Sequence, residues 1–273
     1  MIDAIMNGLG SETPFVVGLC GSQGSGKSTL AASLKRALQS LHGLSVAVLS
    51  IDDLYLTRAE RLRLASHVHP LLQTRGVPGT HDVDMGLSVI RTLKAATPDS
   101  LTPLPRFDKS VDDRFHHDAW ETFKGKPDVI ILEGWCVGAK PQDAAALLQP
   151  INDLERENDA AGRWRHYVNE SLANKYQALF ATLNYLVLLR APDFDVVFAW
   201  RKEQEEGLYR AGDHSPTRVP MTDAALTRFI AHYERLTRHI LTEMPQRADL
   251  VVRLDRGREV LRLAHKKKEG KHV

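Results

Sequence analysis

Short apolar runs alternate along this chain with segments in which apolar residues recur every three or four positions. The runs cover residues 15–20, 46–51, 129–132, 185–189 and 250–254. Runs of this length predict buried strands, and the segments between them predict helices with one apolar face. Strands that alternate with helices are typical of a parallel sheet covered by helices on both faces. The pattern therefore predicts an α/β fold.

Apolar stripes at helical spacing predict three longer helices. The first stripe consists of Trp164, Val168, Leu172, Leu179 and Phe180. The second consists of Leu226, Phe229, Tyr233, Leu236 and Ile240. The third consists of Phe194, Val197, Trp200 and Leu208. We interpret all three stripes as core faces. Thr222 is the expected N-cap of the second helix, and the third is expected to end near Gly212.

The composition is that of a globular protein. Of the 273 residues, 43% are hydrophobic and 26% are charged, and the net charge of +2 argues against nucleic acid or an acidic membrane as an obligatory partner. Cys20 and Cys136 lie at the ends of predicted strands, and we expect both to be reduced. The first residues show no signal-peptide pattern, and no apolar run has the length of a membrane span. These features predict a cytoplasmic protein, and residues from about 264 to 273 predict a basic, solvated tail.

The segment "VVGLCGSQGSGKSTLAASL" (residues 16–34) joins a predicted strand to a predicted helix. It contains the spacing Gly21-x-x-x-x-Gly26-Lys27-Ser28. In a loop of this kind, backbone N–H groups turn inward around an anion, the lysine reaches the terminal phosphates and the serine hydroxyl binds Mg²⁺. The segment therefore predicts a phosphate-binding loop for a nucleoside triphosphate. Its expected contacts are Gly21, Ser22, Gln23, Gly24, Ser25, Gly26, Lys27, Ser28 and Thr29.

Acidic residues follow two of the predicted strands. The stretch "SIDDLY" places Asp52 and Asp53 at the end of the second strand, and "DVIILEGW" places Glu133 at the end of the third. Because successive residues of a strand face opposite ways, only one of the two aspartates can point at the γ-phosphate. A carboxylate there can take the proton of an attacking hydroxyl or hold Mg²⁺ through water. We expect Glu133 beside Mg²⁺, where Gly134 lets the chain turn away from the phosphates.

Two other uses of a phosphate-binding loop lack their motifs. A GTPase would carry an Asn-Lys-x-Asp motif that reads guanine, and this chain has only "NKYQ" (residues 174–177) inside a predicted helix. An ABC-type ATPase would carry a Leu-Ser-Gly-Gly signature, which is absent from the sequence.

Residues 54–126 contain Pro- and Arg-rich segments with weak periodicity, and we interpret them as insertions that build an acceptor site. Ligands of open α/β sheets collect outside the carboxyl ends of the strands. Two clusters, "RGVPGTHD" (75–82) and "LPRFDKSVDDR" (104–114), carry cations that could clamp a carboxylate or a phosphate, since arginine can pair with two oxygens at once. The expected acceptor contacts are Tyr55, Arg75, His81, Arg106, Lys109 and Arg114.

The order of these motifs resembles that of the P-loop kinases related to uridine kinase, phosphoribulokinase and pantothenate kinase. Within that group the chain is most similar to the D-glycerate 3-kinase branch, and the later segments "WRHYVNESL", "DFDVVFAWRKEQE" and "MTDAALTRFIAHYERLTRH" extend the resemblance over nearly the whole chain. The resemblance implies that Asp52 is the catalytic aspartate. It also implies that Glu133 is associated with Mg²⁺. From the residues themselves we expect Ser28 and Asp53 to share the Mg²⁺ site and Lys27 to act with Asp52 in catalysis. Residues 193–212 would form a helical lid whose Arg201 closes over the phosphates.

The resemblance implies a P-loop NTPase fold of the kinase type, one domain over residues 1–273, and ATP and Mg²⁺ as cofactors. Nothing in the acceptor region resembles the nucleoside-binding loops of uridine kinases, so a small anionic hydroxy acid is the expected partner. We expect phosphorylation of a primary hydroxyl, most closely that of D-glycerate. Two alternatives stay open. One is a kinase for another small acceptor, such as a pantothenate-like compound, a sugar or a nucleoside, and the other is a non-catalytic nucleotide-binding regulatory protein.

Overall fold

All five predicted strands lie in one sheet of six strands, whose order across the sheet is residues 260–265, 250–254, 185–190, 15–21, 129–134 and 46–50. The computed structural model describes residues 1–10, 13–210 and 221–266, and only the backbone of residues 208–210. The strands are β1 (Phe15–Gly21), β2 (Val46–Ser50), β3 (Leu101–Leu104), β4 (Phe107–Asp108), β5 (Asp113–Arg114), β6 (Glu121–Lys124), β7 (Val129–Gly134), β8 (Tyr185–Arg190), β9 (Leu250–Leu254) and β10 (Val260–His265). The helices are α1 (Ile2–Leu9), α2 (Lys27–His42), α3 (Arg58–His67), α4 (Val83–Ala95), α5 (Asp153–Asn158), α6 (Arg163–Ser171), α7 (Gln177–Phe180), α8 (Val196–Arg210) and α9 (Asp223–Glu243).

The five predicted strands are parallel to one another, as the alternation of elements indicates. The edge strand β10 was not predicted, and it pairs with β9 in the antiparallel sense. Its residues Val260, Leu261 and Leu263 are exposed, so β10 shows no buried run from which to predict it. The basic tail expected from about residue 264 therefore begins inside a strand, and residues 267–273 of that tail lie outside the described part of the chain.

Helices cover both faces of the sheet, which confirms the predicted architecture. Side chains of β1 alternate between two buried clusters: Val16 and Cys20 belong to one, Val17 and Leu19 to the other. The first cluster includes apolar residues of α4, α7 and α9. The second includes residues of α1, α2 and α8. Each face of the central strand is therefore buried, as a parallel sheet requires.

Two of the three helix predictions agree with the structure within its described range. Thr222 caps α9 by accepting a hydrogen bond from the backbone N–H of Ala225 at 3.2 Å. The third stripe forms α8, and its predicted end near Gly212 lies outside the described residues. The first stripe is not one helix. It is divided into α6 and α7 by a wider turn over Leu172–Tyr176, where Asn174 leaves helical geometry.

The segment 54–126 contains two helices, α3 and α4, and two short hairpins, β3–β6 and β4–β5. It lies beside the carboxyl ends of β2 and β7, where Ser50 is paired with Glu133. Within residues 1–10, 13–210 and 221–266, no helix is long and apolar enough to cross a membrane.

Candidate active site

The phosphate-binding loop connects β1 to α2, and two of its glycines have the conformation that this connection needs. Gly24 has φ +74° and Gly26 has φ +86°, values that L side chains rarely adopt. A Cβ atom on Gly24 would also lie 2.7 Å from the backbone oxygen of Trp200 on α8. The helix begins at Lys27 with no side chain capping its first turn, so its first N–H groups remain available to an anion.

Several buried polar atoms of this loop have no partner in the described structure. They are Oγ of Ser22, Oγ of Ser25 and Oε1 of Gln23. Buried polar groups are normally paired, because a group without a partner costs about 1–3 kcal/mol. These atoms fit a loop whose hydrogen bonds are completed by a bound phosphate group.

Ser28 and Glu133 lie in contact at the carboxyl ends of β1 and β7. The Ser28 hydroxyl donates to Oε1 of Glu133 at 3.0 Å, and Oε2 of Glu133 is buried with no partner in the described structure. Hydroxyl and carboxylate oxygens are ligands that Mg²⁺ accepts, and Mg²⁺ is usually held by one or two such groups together with substrate phosphates. The pair therefore fits the predicted metal. Among the described residues, no three His, Cys, Asp or Glu side chains cluster to hold an ion.

Asp52 lies in the short helical turn that follows β2, and both of its carboxylate oxygens accept hydrogen bonds. Tyr55 donates its hydroxyl to Oδ1 at 2.7 Å, and Lys109 donates its ammonium group to Oδ2 at 2.6 Å. Burial alone would raise the pKa of the Asp52 carboxyl. The charges of Lys109 and Lys27, with the two hydrogen bonds, outweigh burial and hold the pKa well below its usual range. Asp52 is therefore ionised at neutral pH.

His81 supports Tyr55 and does not line the cleft. The His81 ring stacks on Tyr55 with centroids 4.7 Å apart, and its Nδ1 lies 2.6 Å from the Tyr176 hydroxyl. Burial lowers the pKa of His81 to about 4, so the ring is neutral. The structure places His81 behind Tyr55, enclosed by protein, so its expected contact with the acceptor stays a prediction.

Asp53 follows Asp52 in the same short helical turn, but its side chain contacts a different set of residues. Its carboxylate accepts from the backbone N–H of Phe107 at 3.1 Å and from Arg106 at 3.0 Å. Arg106 also pairs with Glu121. Neither Asp53 nor Arg106 lines the cleft. In this structure the two side chains anchor β4 beside the turn that follows β2, and the metal role of Asp53 and the acceptor role of Arg106 stay predictions.

Arg114 also has a structural position. Its guanidinium donates to the backbone oxygen of Tyr55 at 2.9 Å and contacts Asp82 at 3.3 Å, and Asp82 is the N-cap of α4. Arg114 is absent from the lining of the cleft. In this structure Arg114 connects β5 to the start of α4, and its expected contact with the acceptor stays a prediction.

One cleft, of about 890 Å³, brings together the remaining candidates. Its walls include residues of the phosphate-binding loop, of both acidic strand ends, of the acceptor segments and of α8. The candidates that line it are Gln23, Lys27, Ser28, Asp52, Tyr55, Arg75, Lys109, Glu133 and Arg201. Gly24, Ser25, Gly26 and Thr29 line a neighbouring depression, and Lys27 and Ser28 line both cavities. Gly21 and Ser22 are buried beneath the loop.

The segment that carries Arg75 is fixed by two aromatic side chains. Trp135 donates its ring N–H to the backbone oxygen of Gly76 at 2.8 Å, and Tyr233 donates to that of Arg75 at 3.0 Å. Gly76 has φ +129°, and a Cβ there would lie 1.9 Å from the Tyr233 oxygen, so only glycine fits. The Arg75 guanidinium pairs with Asp112 and lies 5.6 Å from the centre of the Phe107 ring.

The sequence did not indicate Arg61, which is 1% exposed and lines the same cleft. Its guanidinium donates to the backbone oxygens of Leu56 at 3.2 Å and Gln73 at 2.7 Å, and it pairs with Asp112 at 2.9 Å. Arg61 thereby joins three acceptor segments. Thr57 and Glu60 form a capping box at the start of α3. This pair indicates a helix in the sequence, but it does not indicate that Arg61 is buried.

Arg201 lies on α8 and lines the same cleft as Asp52. It donates to Gln204 at 2.9 Å, pairs with Glu205, and lies 5.7 Å from the centre of the Phe229 ring on α9. The closing of Arg201 over the phosphates stays a prediction.

Comparisons with known proteins find kinases that are similar to this chain. No family model matches the chain. A Schizosaccharomyces pombe protein named uncharacterized kinase mug58 is 36% identical over 228 residues, which cover 81% of this chain and 78% of that protein. The chloroplastic D-glycerate 3-kinase of Arabidopsis thaliana is 29% identical over 81% of this chain, and the match spans 46% of the plant protein.

A solved structure has the same fold over almost the whole length. It is a D-glycerate 3-kinase from Cryptococcus neoformans, with a TM-score of 0.76, 25% identity, and coverage of 97% of this chain and 96% of that one. The phosphate-binding loop, the acidic strand ends and these likenesses lead to one conclusion. The chain belongs to the P-loop kinases of the uridine kinase, pantothenate kinase and D-glycerate 3-kinase group.

Proposed function

We propose that this kinase transfers the γ-phosphoryl group of ATP to the primary hydroxyl of D-glycerate, with Mg²⁺ as cofactor. The observation that carries the proposal is the composition of the cleft of about 890 Å³. An ionised Asp52 faces the same space as Lys27, Ser28 and Glu133, and the cations Arg75 and Lys109 line its acceptor side. The names of the plant relative and of the Cryptococcus structure support the choice of glycerate.

At the nucleotide end, Lys27 and the loop amides would hold the β- and γ-phosphates, and the unpaired hydroxyls of Ser22 and Ser25 would complete the contacts. Ser28 and Glu133 would hold Mg²⁺. When bound, Mg²⁺ offsets the negative charge of the transferring group.

At the acceptor end, Asp52 orients the hydroxyl. The hydroxyl oxygen forms a bond to the γ-phosphorus, the bond to the bridging oxygen breaks, and its electron pair leaves with ADP. The hydroxyl proton passes to Asp52. Because the pKa of Asp52 is low, the carboxylate is a weak base in the ground state, and its main contribution before the transition state is to position the nucleophile.

Arg75 is the arginine best placed for the acceptor carboxylate. An anion bound beside a triphosphate in a partly desolvated cleft needs a fixed cation. Asp112 occupies Nη1 of Arg75, and within the described part of the chain no residue accepts a hydrogen bond from its Nε or Nη2. Those two donors are parallel and match the two oxygens of a carboxylate.

The acceptor panel tests the proposal. ADP release is measured with D-glycerate, glycerol, pantothenate and uridine as acceptors. We expect kcat/KM for glycerate to exceed that for glycerol by about 10²-fold or more, because glycerol has no carboxylate to accept hydrogen bonds from Nε and Nη2 of Arg75. Arg75→Ala should raise KM for glycerate strongly and leave KM for ATP unchanged. The matched control is Arg91→Ala on the exposed side of α4. Equal rates on glycerol would contradict the clamp, and a preference for uridine or pantothenate would contradict glycerate as the substrate.

A further inference from the structure

Lys109 contacts the carboxylate of Asp52 directly. Its ammonium group lies 2.6 Å from Oδ2 of Asp52, and both residues line the cleft. The side chain is 51% exposed and extends from the turn between β4 and β5. A long, half-exposed lysine that is held by one contact can leave its partner at little cost.

We propose that Lys109 masks Asp52 in the free enzyme and that the carboxylate of the acceptor removes the mask by drawing the ammonium group to itself. This inference rests on the proposed function, because it requires an anionic acceptor. Lys109 is on this account a positioning residue whose partner changes from Asp52 to the acceptor. The switch would make full activation of Asp52 depend on the acid group of the correct substrate.

The neighbouring carboxylates leave Lys109 no comparable alternative. Asp108 accepts from the backbone and hydroxyl of Ser110, and Asp112 pairs with Arg61 and Arg75. The remaining acid of the turn, Asp113, accepts from the backbone N–H groups of Arg58 and Arg114. The ammonium group therefore lies on Asp52 because the other acids of its own turn are engaged.

The contact between Lys109 and Asp52 would limit ATP hydrolysis, in which water replaces the acceptor as the nucleophile. In hydrolysis, a water oxygen forms the bond to the γ-phosphorus, the bond to the bridging oxygen breaks with its electron pair leaving on ADP, and the proton passes to Asp52. An ammonium group on Oδ2 occupies one acceptor position and stabilises the carboxylate against protonation. Arg75, by contrast, is fixed by Asp112 and Phe107 and remains in place to receive the acceptor.

The test measures ATP hydrolysis in the absence of any acceptor. Lys109→Met should raise this rate by about tenfold or more, which is the rate equivalent of one hydrogen bond to a charged group. The matched control is Lys124→Met, an exposed lysine of β6 that does not line the cleft, and its rate should be unchanged. Lys109→Arg should keep the rate low, because it restores a donor to Asp52. A rate of hydrolysis in Lys109→Met equal to or below that of the wild type would overturn the proposal.

A second measurement uses D-lactate, which has the carboxylate of glycerate and lacks its primary hydroxyl. D-lactate should stimulate ATP hydrolysis by the wild-type enzyme severalfold, and it should have no effect on Lys109→Met, which is already unmasked. Absence of stimulation in the wild type would overturn the exchange of partners. The first measurement needs no acceptor, so faster hydrolysis by Lys109→Met in an enzyme inactive on glycerate would support the mask and reject only the proposed substrate.

Discussion

Replacing Tyr55 with phenylalanine removes one hydroxyl group and leaves the packing of the ring in place. The ring stacks on His81 at 4.7 Å and meets Phe107 edge-on at 5.2 Å, and both contacts are available to phenylalanine. The hydroxyl donates to Oδ1 of Asp52 at 2.7 Å, so the substitution deletes a buried hydrogen bond to an ionised group. The change therefore isolates the contribution of this one contact to the position of Asp52.

The magnitude follows from the kind of bond that is lost. A hydrogen bond to a charged group contributes about 1.5–3 kcal/mol, so the free energy of unfolding should fall by about that amount. If the same contact holds Asp52 in the transition state, kcat should fall by about 10- to 100-fold. The affinity for ATP should not change, because Tyr55 is not part of the phosphate-binding loop.

The assay compares Tyr55→Phe with Tyr185→Phe. Tyr185 begins β8, and its hydroxyl is buried with no partner in the described structure, so its removal should change stability by less than about 0.5 kcal/mol. Both variants are measured by denaturant unfolding and by kcat at saturating ATP and glycerate. If Tyr55→Phe matches the control in stability and in kcat, the reasoning about the support of Asp52 is wrong.

Three other changes test separate parts of the site. Lys27→Met should lower kcat by about 10³-fold, because it removes the positive charge that contacts the transferring phosphate. Near-normal turnover would contradict the phosphate-loop assignment. Asp52→Asn should lower kcat by about 10²–10⁴-fold with ATP binding retained, whereas Asp53→Asn should mainly lower stability; the reverse order in kcat would exchange their roles. The folded protein should lose up to about 3 kcal/mol of stability as the pH falls from 6.5 to 4, because the unfolded chain binds a proton that buried His81 does not. Denaturant unfolding at several pH values should show a shallower loss in His81→Asn, and an equal slope would assign the loss to other groups.

The central part of the fold could be predicted because its strands are buried on both faces. Each such strand reads as an uninterrupted apolar run, and the runs agree with β1, β2, β7, β8 and β9 to within one or two residues. The strand β10 has exposed residues and no such run, so its antiparallel pairing followed only from the structure. The sequence also does not show that the helix is divided at Asn174, because the apolar stripe continues through this position.

The nucleotide half of the cleft was predictable for a geometric reason. Neighbouring parallel strands end at the same edge, so Lys27, Asp52 and Glu133 had to lie near one another. The acceptor half of the cleft was not predictable, because an arginine in a polar segment can either bind a ligand or form a structural ion pair. Arg106 and Arg114 do the second, and their partners Asp53 and Asp82 are set by tertiary packing that the sequence does not display.

Phosphorus NMR of the reaction product tests the central claim most directly. The enzyme is incubated with ATP, Mg²⁺ and D-glycerate, and the coupling of the new phosphate ester to carbon-bound protons is recorded. Transfer to the primary hydroxyl predicts one ester signal split by two methylene protons. A signal split by a single methine proton would mean that the secondary hydroxyl is the acceptor. Formation of ADP and inorganic phosphate without any ester would contradict the proposal that this chain is a glycerate kinase.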